Sequence, residues 1–164
     1  MITQSELKEL LNYNPDTGEF TWLKTNSNRI KIGDIAGYND HNGYRIIRVL
    51  KKKQYKAHIL AWLYVTGEYP KQFIDHINNV PSDNRWSNLR LANNSQNGAN
   101  RLKYQNNKSG YKGVSWCKIS KKWKAQITHN GKTKYIGLFS CQIEAYKAYC
   151  DKAKELHKEF ACFG

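Results

Sequence analysis

Apolar and polar positions alternate along this chain in short runs, and the period of the alternation changes several times. Leu7, Leu10 and Leu11 fall on one helical face behind Ser5, which predicts a short helix from Ser5 through Leu11 with Ser5 as its N-cap. Asn14-Pro15-Asp16-Thr17-Gly18 has the chemistry of a turn, Pro fixing φ and Gly admitting positive φ. Period-2 patterning then predicts short strands over Glu19 to Leu23, Gly33 to Gly37, Tyr44 to Leu50 and Gln54 to Leu60. Asn-Gly and Lys-rich turns separate them, and Asn42-Gly43 is the clearest hairpin signal. Ala57 to Thr66 is apolar enough to be the end of a strand running into a helix, stopped by Gly67-Glu68-Tyr69-Pro70. His58 inside it reads first as a structural histidine bonded to backbone, with a site-facing ring as the alternative.

The pattern breaks between Phe73 and Asn97. An apolar run ends in Asp75-His76, an Asn-, Pro- and Ser-rich loop follows, and Asn88-Leu89-Arg90-Leu91 leads into a predicted helix carrying Asn97. Asn100 to Ser109 is basic and Asn-rich, the composition of a linker or irregular arm. Beyond it, Val114 to Trp116, Trp123 to Ile127 and Lys134 to Phe139 predict three strands turning at Lys121-Lys122 and Asn130-Gly131. From Gln142 to Phe160, Ala145, Ala148, Tyr149, Lys152, Ala153 and Leu156 recur at helical spacing, an amphipathic helix whose small residues fit closely on a sheet. The fold class is α+β: an antiparallel N-terminal sheet leading into the central segment, then a three-stranded sheet with one helix. The expected domains are 1–105 and 106–164.

Charge sharpens this division. The 164 residues carry a formal charge of +14. Residues 1–106 hold 15 bases against 9 acids, a net of +6, and residues 107–164 hold 12 against 4, a net of +8. Eight lysines and no acid lie between Asn107 and Ser140, which points to a polyanionic partner, nucleic acid first. No 18-residue apolar run is present, so no membrane span is expected. The N-terminal MITQSELKELL lacks the pattern of a secretion signal, so a reducing compartment is expected. Cys117, Cys141, Cys150 and Cys162 include no CxxC pair and read as reduced thiols.

The central segment has too few apolar residues to be a core element and a high density of polar groups. On a regular strand Asp75 and His76 point to opposite faces, so a carboxylate and an imidazole approach one phosphate from two directions. Asp is a hard oxygen ligand for Mg²⁺ or a similar ion, and neutral His accepts a proton near working pH. Asn97 offers an amide oxygen to the same ion.

The stretch from His58 through Asn97, with DHINN, DNRWSNLR and SQN, resembles the HNH endonuclease motif, most closely the phage and homing-type branch that ends in Asn. The resemblance implies a ββα fold over about residues 57–102 around a single divalent metal. It implies Asp75 and Asn97 as metal ligands, His76 as the general base, and Asn88 as the residue that braces the loop and orients His76. Asn84 is the nearest competitor for that bracing role. An amide in place of imidazole favours Mg²⁺ or Mn²⁺ over softer metals. Arg85 and Arg90 are candidates for phosphate contacts. NPDTGEFTW, GDIAGY, NGYRII and AHILAW are similar to the N-terminal sheet of the same branch.

Residues 109–164 resemble the AP2 DNA-binding domain, through YKGVSW, KWKAQI, KYIGLF and the EAYKAYCDKAKELHKEFA helix. The resemblance implies a sheet that enters the major groove, with Lys112, Trp116, Lys118, Trp123, Lys124, Gln126, Lys134 and Tyr135 as outward candidates. By bulk, Trp123 and Phe139 are more often core residues than contacts. Together the two resemblances imply a phage-type endonuclease in a bacterial cytoplasm. It would act on double-stranded DNA, with one Mg²⁺ or Mn²⁺ per site and no small-molecule cofactor, nicking one strand as a monomer. A non-catalytic DNA-binding regulator and an RNA-directed protein are the alternatives.

Overall fold

The computed structural model describes residues 1–25, 28–49 and 53–164. It is a mixed α/β structure of small antiparallel sheets and helices, and packing divides it into two compact units, Met1–Leu91 and Ala92–Gly164.

The first unit begins with α1 (Gln4–Leu10), whose N-cap is Thr3 and not Ser5. Glu6 stands three residues after Thr3, so each side chain accepts the other's backbone N–H, and this reciprocal box fixes the helix start. β1 (Leu11–Tyr13) and β2 (Phe20–Trp22) pair antiparallel across the Asn14–Gly18 turn. The strand expected over Gly33 to Gly37 is a single bridge, Thr21 to Ile35, because Gly33 and Gly37 both adopt positive φ and interrupt the extended backbone. β3 (Tyr38–Asn39), β4 (Arg45–Val49) and β5 (Lys53–Lys56) form a sheet in that order. Leu50, the expected end of β4, lies outside the described residues.

The next strand stops before Leu60. Ala57 already opens α2 (Ala57–Thr66), because Ala57, Leu60, Ala61 and Leu63 bury at helical spacing, and Gly67 ends the helix in the left-handed region. Ile2, Leu7, Leu11, Tyr13, Phe20, Ile47, Leu60 and Leu63 make the core of this unit, with Leu89 at its edge. β6 (Phe73–His76) pairs with β7 (Leu89–Ala92), and a 3₁₀ turn (Trp86–Asn88) closes the loop between them.

The second unit starts with α3 (Asn94–Asn100), capped by a reciprocal Asn93–Gln96 box. Its buried Ala99 joins Ala92 and Phe160 in a small cluster. β8 (Val114–Cys117), β9 (Lys122–His129) and β10 (Lys132–Phe139) make a sheet of order β10-β9-β8. α4 (Gln142–His157) lays Ala145, Tyr149 and Ala153 against Val114, Ala125 and Ile127. It ends at His157, short of the expected Phe160, because Lys158 takes a φ of 50° and the last three residues form a 3₁₀ turn.

Candidate nuclease site and nucleic-acid face

β6 delivers Asp75 and His76 to the polar loop that follows it, and both side chains are buried, at 6% and 7% exposure. The loop from Ile77 to Asn88 is held by Asn88, which is also buried. Its Oδ1 accepts from the Asn78 N–H at 3.0 Å, and its Nδ2 donates to the Asn78 Oδ1 and to the Asp83 carbonyl at 3.0 and 2.8 Å. The Ile77 N–H donates to the Asn88 carbonyl at 2.9 Å. Asn88 thus spans both limbs of the loop.

The neighbour of the imidazole is Asn84. Its Nδ2 donates to the Ser82 carbonyl at 2.9 Å, which turns its Oδ1 toward His76 Nε2 at 3.4 Å. An amide oxygen only accepts, so this long contact favours the tautomer with its proton on Nε2 and its lone pair on Nδ1. Burial holds the His76 pKa below the ordinary histidine value, although Asn84, Asp75 and Asp83 pull the other way. Burial thus favours the uncharged ring, the form that can accept a proton.

Segments far away in sequence support this loop. Tyr13 donates its hydroxyl to the Asn84 carbonyl at 2.7 Å, and the Trp86 N–H donates to the Pro15 carbonyl at 2.9 Å. Trp62 of α2 packs on Trp86 with ring centroids 5.0 Å apart. His58, one turn earlier on α2, meets His76 edge to face at 5.0 Å, and Tyr44 lies 5.5 and 6.1 Å from the two rings. The structure therefore turns His58 toward His76, the second of the two readings its sequence setting left open. Tyr44 had no sequence signal beyond its place in a strand.

Burial, His76 and Lys56 together depress the His58 pKa to about 3. The unfolded chain takes up a proton near pH 6.5, whereas the folded one does so only near 3. Stability present above 6.5 is thus lost as pH falls toward 3. Urea titrations should show the intact protein losing about 2 kcal/mol more than His58→Gln between pH 6.5 and 5. Equal losses would remove His58 from the acid response.

Arg85 and Arg90 have different partners. Arg85 forks onto Asp83, Nε to Oδ1 at 2.8 Å and an outer nitrogen to Oδ2 at 2.6 Å, at the surface. Arg90 on β7 reaches Asp75, with Nε and Nη2 each 2.9 Å from Oδ2. Asn97 lies on α3, in the second unit, and its N–H donates to the Asn93 carbonyl at 2.9 Å. Of the two ligands that the sequence resemblance implies, Asp75 offers a carboxylate and Asn97 an amide. Mg²⁺ suits such a set, because it is held through one or two carboxylates plus water and phosphate. Among the described residues no cluster of three or more His, Cys, Asp or Glu forms a closed cage for a softer metal.

In the second unit, strand register sorts the outward candidates. Ala125 and Ile127 of β9 face the helix, so Lys124 and Gln126 face away from it. Ser115 and Leu138 lie opposite Lys124, and Tyr135, 63% exposed, lies opposite Gln126. Trp116 pairs with Trp123, and Lys134 with Ile127, which by alternation sets both candidates on the helix side of the sheet. Trp123 packs with Val114, Ala125 and Ala145, and Trp116 meets it edge to face at 5.0 Å. Lys118 sits exposed in the turn after β8. Lys112 points inward: its amine donates to the Ala99 carbonyl at 2.6 Å, and burial lowers its pKa.

Among the described residues no helix is long and apolar enough to cross a membrane. Residues 55–99 match the family model described as HNH endonuclease, and residues 109–160 match that of the AP2 domain. Protein 3.8 of Escherichia phage T7 is 35% identical over 116 residues, spanning 68% of this chain and 95% of that protein. An uncharacterized HNH endonuclease of Acanthamoeba polyphaga mimivirus is 33% identical over 131 residues, 79% of this chain and 67% of that protein. No solved structure matches the chain. The match over residues 55–99, which hold the buried Asp-His pair and its Asn-braced loop, and the identity to viral relatives along most of their length make this chain a member of the HNH endonuclease family with an AP2 domain at residues 109–160.

Proposed function

We propose that the protein is a metal-dependent DNA endonuclease that hydrolyses one phosphodiester bond per encounter, with residues 1–105 carrying the chemistry and 106–164 the targeting. The observation that carries this reading is His76: buried beside the Asp75 carboxylate, with Nε2 facing the Asn84 amide oxygen and with burial favouring the uncharged ring. Its Nδ1 takes the proton of the attacking water. Asn84 holds the ring, and Asn88 holds the loop that carries Asn84. Asp75 and Asn97 would hold the divalent ion, Mg²⁺ or Mn²⁺, which neutralises charge as it develops on the phosphate. A single site of this kind cuts one strand, so a monomer nicks.

The test is a supercoiled plasmid incubated with Mg²⁺ or Mn²⁺, beside single-stranded DNA and duplex RNA. Open circles that disappear with chelator are the expected product. Metal-independent cutting, or faster cutting of RNA, would overturn the assignment.

The AP2 sheet binds duplex DNA with the face that carries Lys124, Gln126 and Tyr135. Lys124→Ala should make the log–log salt slope of duplex binding shallower by about one, for every sequence alike. Gln126→Ala should instead flatten the preference among sequences. Reversed phenotypes would place the groove-reading face elsewhere on this sheet.

A further inference from the structure

The carboxylate assigned above to the metal ion is already held by a cation of the chain. Arg90 approaches Asp75 with two nitrogens, and both lie 2.9 Å from the same oxygen, Oδ2. The pair is poorly hydrated: the Asp75 side chain is 7% exposed and that of Arg90 17%. Nε donates to Oδ2 and Nη2 lies as close to it, so an ion approaching either carboxylate oxygen meets the guanidinium charge at short range. A divalent ion added to this arrangement would set its two positive charges beside that of the guanidinium on one carboxylate, in a region where water screens weakly. The fork and the ion therefore oppose each other, unless a second anion enters. A DNA phosphate is such an anion, and guanidinium binds phosphate as readily as carboxylate.

We propose that Arg90 and the divalent ion compete for Asp75, with Arg90 as the resident counter-ion until DNA arrives. The phosphate then draws the guanidinium from Oδ2, so metal and DNA each strengthen the binding of the other. Arg90 is in this account a positioning residue that couples metal loading to substrate. The inference rests on Asp75 being a metal ligand.

The experiment measures Mn²⁺ affinity of the full chain by calorimetry, with and without a short DNA duplex, all in the His76→Ala background so that the DNA stays intact. Without DNA, Arg90→Gln should bind Mn²⁺ roughly tenfold more tightly than its parent. With DNA, the parent should gain affinity and the variant should gain much less. Arg90→Lys keeps the charge without the fork and should lie between them, which guards against a Gln variant that leaves Asp75 unpaired and fails to fold. Equal or weaker Mn²⁺ binding by both variants would overturn the competition. Asp75→Asn separates the two readings: if it abolishes Mn²⁺ binding while the Arg90 variants change nothing, only the role of Arg90 falls. If it binds Mn²⁺ as its parent does, the metal assignment falls first.

Discussion

His76→Ala should lower plasmid nicking by roughly 10²- to 10⁴-fold, the contribution of a positioned general base, while duplex DNA binding stays within a factor of about two. The two effects separate because His76 is buried beneath the loop, whereas the proposed groove-reading residues Lys124, Gln126 and Tyr135 lie on a sheet of the other unit. The substitution also removes the ring that His58 packs against and the partner of Asn84 Oδ1. A modest stability cost of about 1–3 kcal/mol is therefore expected from the cavity and the unpaired amide. Nicking assays belong at a temperature where circular dichroism shows the variant folded. Added imidazole should restore part of the rate if only the base is missing. A variant that nicks at the parental rate would transfer the base role to another group, and His58, 5.0 Å away, is the first to test.

The strand-loop-strand arrangement of the central segment could be read from sequence because its contacts are local. Asp75, His76 and Asn88 lie within one strand-loop-strand unit, and the amides that hold this loop stand out in a run too poor in apolar residues to be a core element. The sheet face of the second unit was partly legible for a similar reason: alternation about Ala125 and Ile127 sends Lys124 and Gln126 outward whatever the partner strand. Trp116 and Lys134 were not legible in this way. Their facing depends on the β8–β9 and β9–β10 registers, which align Trp116 with Trp123 and Lys134 with Ile127. Lys112 reads as one more lysine in a basic run, and only its approach to the Ala99 carbonyl shows that its charge is turned inward. Arg90 is comparable: its fork onto Asp75 spans fifteen residues across a strand pair and leaves no pattern in the chain. His58 announced only an apolar helix position. What faces what across long sequence separations is decided by packing, and hydrophobic period does not encode it.

Gly18 is the sharpest case of such a long-range requirement. In sequence it is one more turn glycine, explained by its φ of +75°. In the structure its Cα lies against the backbone of the 77–88 loop: a Cβ there would stand 2.3 Å from the Arg85 nitrogen and 2.4 Å from the Asn84 carbonyl carbon. Neither is the end of a flexible side chain, and the same segment is tied to the turn by the Tyr13 hydroxyl and by the Trp86–Pro15 bond. Gly18→Ala must therefore strain the left-handed backbone and also push Asn84 from its place beside His76. The expected cost is about 3 kcal/mol, the sum of a left-handed penalty of about 1–2 and an overpacking term of similar size. Gly33→Ala is the control, since Gly33 has a φ of +91° and open space around its Cβ position, so only the backbone penalty applies. Urea unfolding should rank Gly18→Ala well below Gly33→Ala, and at equal folded fraction only Gly18→Ala should nick more slowly. Equal stability of the two would mean that the 84–85 backbone yields freely. Equal nicking at unequal stability would mean that the placement of Asn84 does not govern His76.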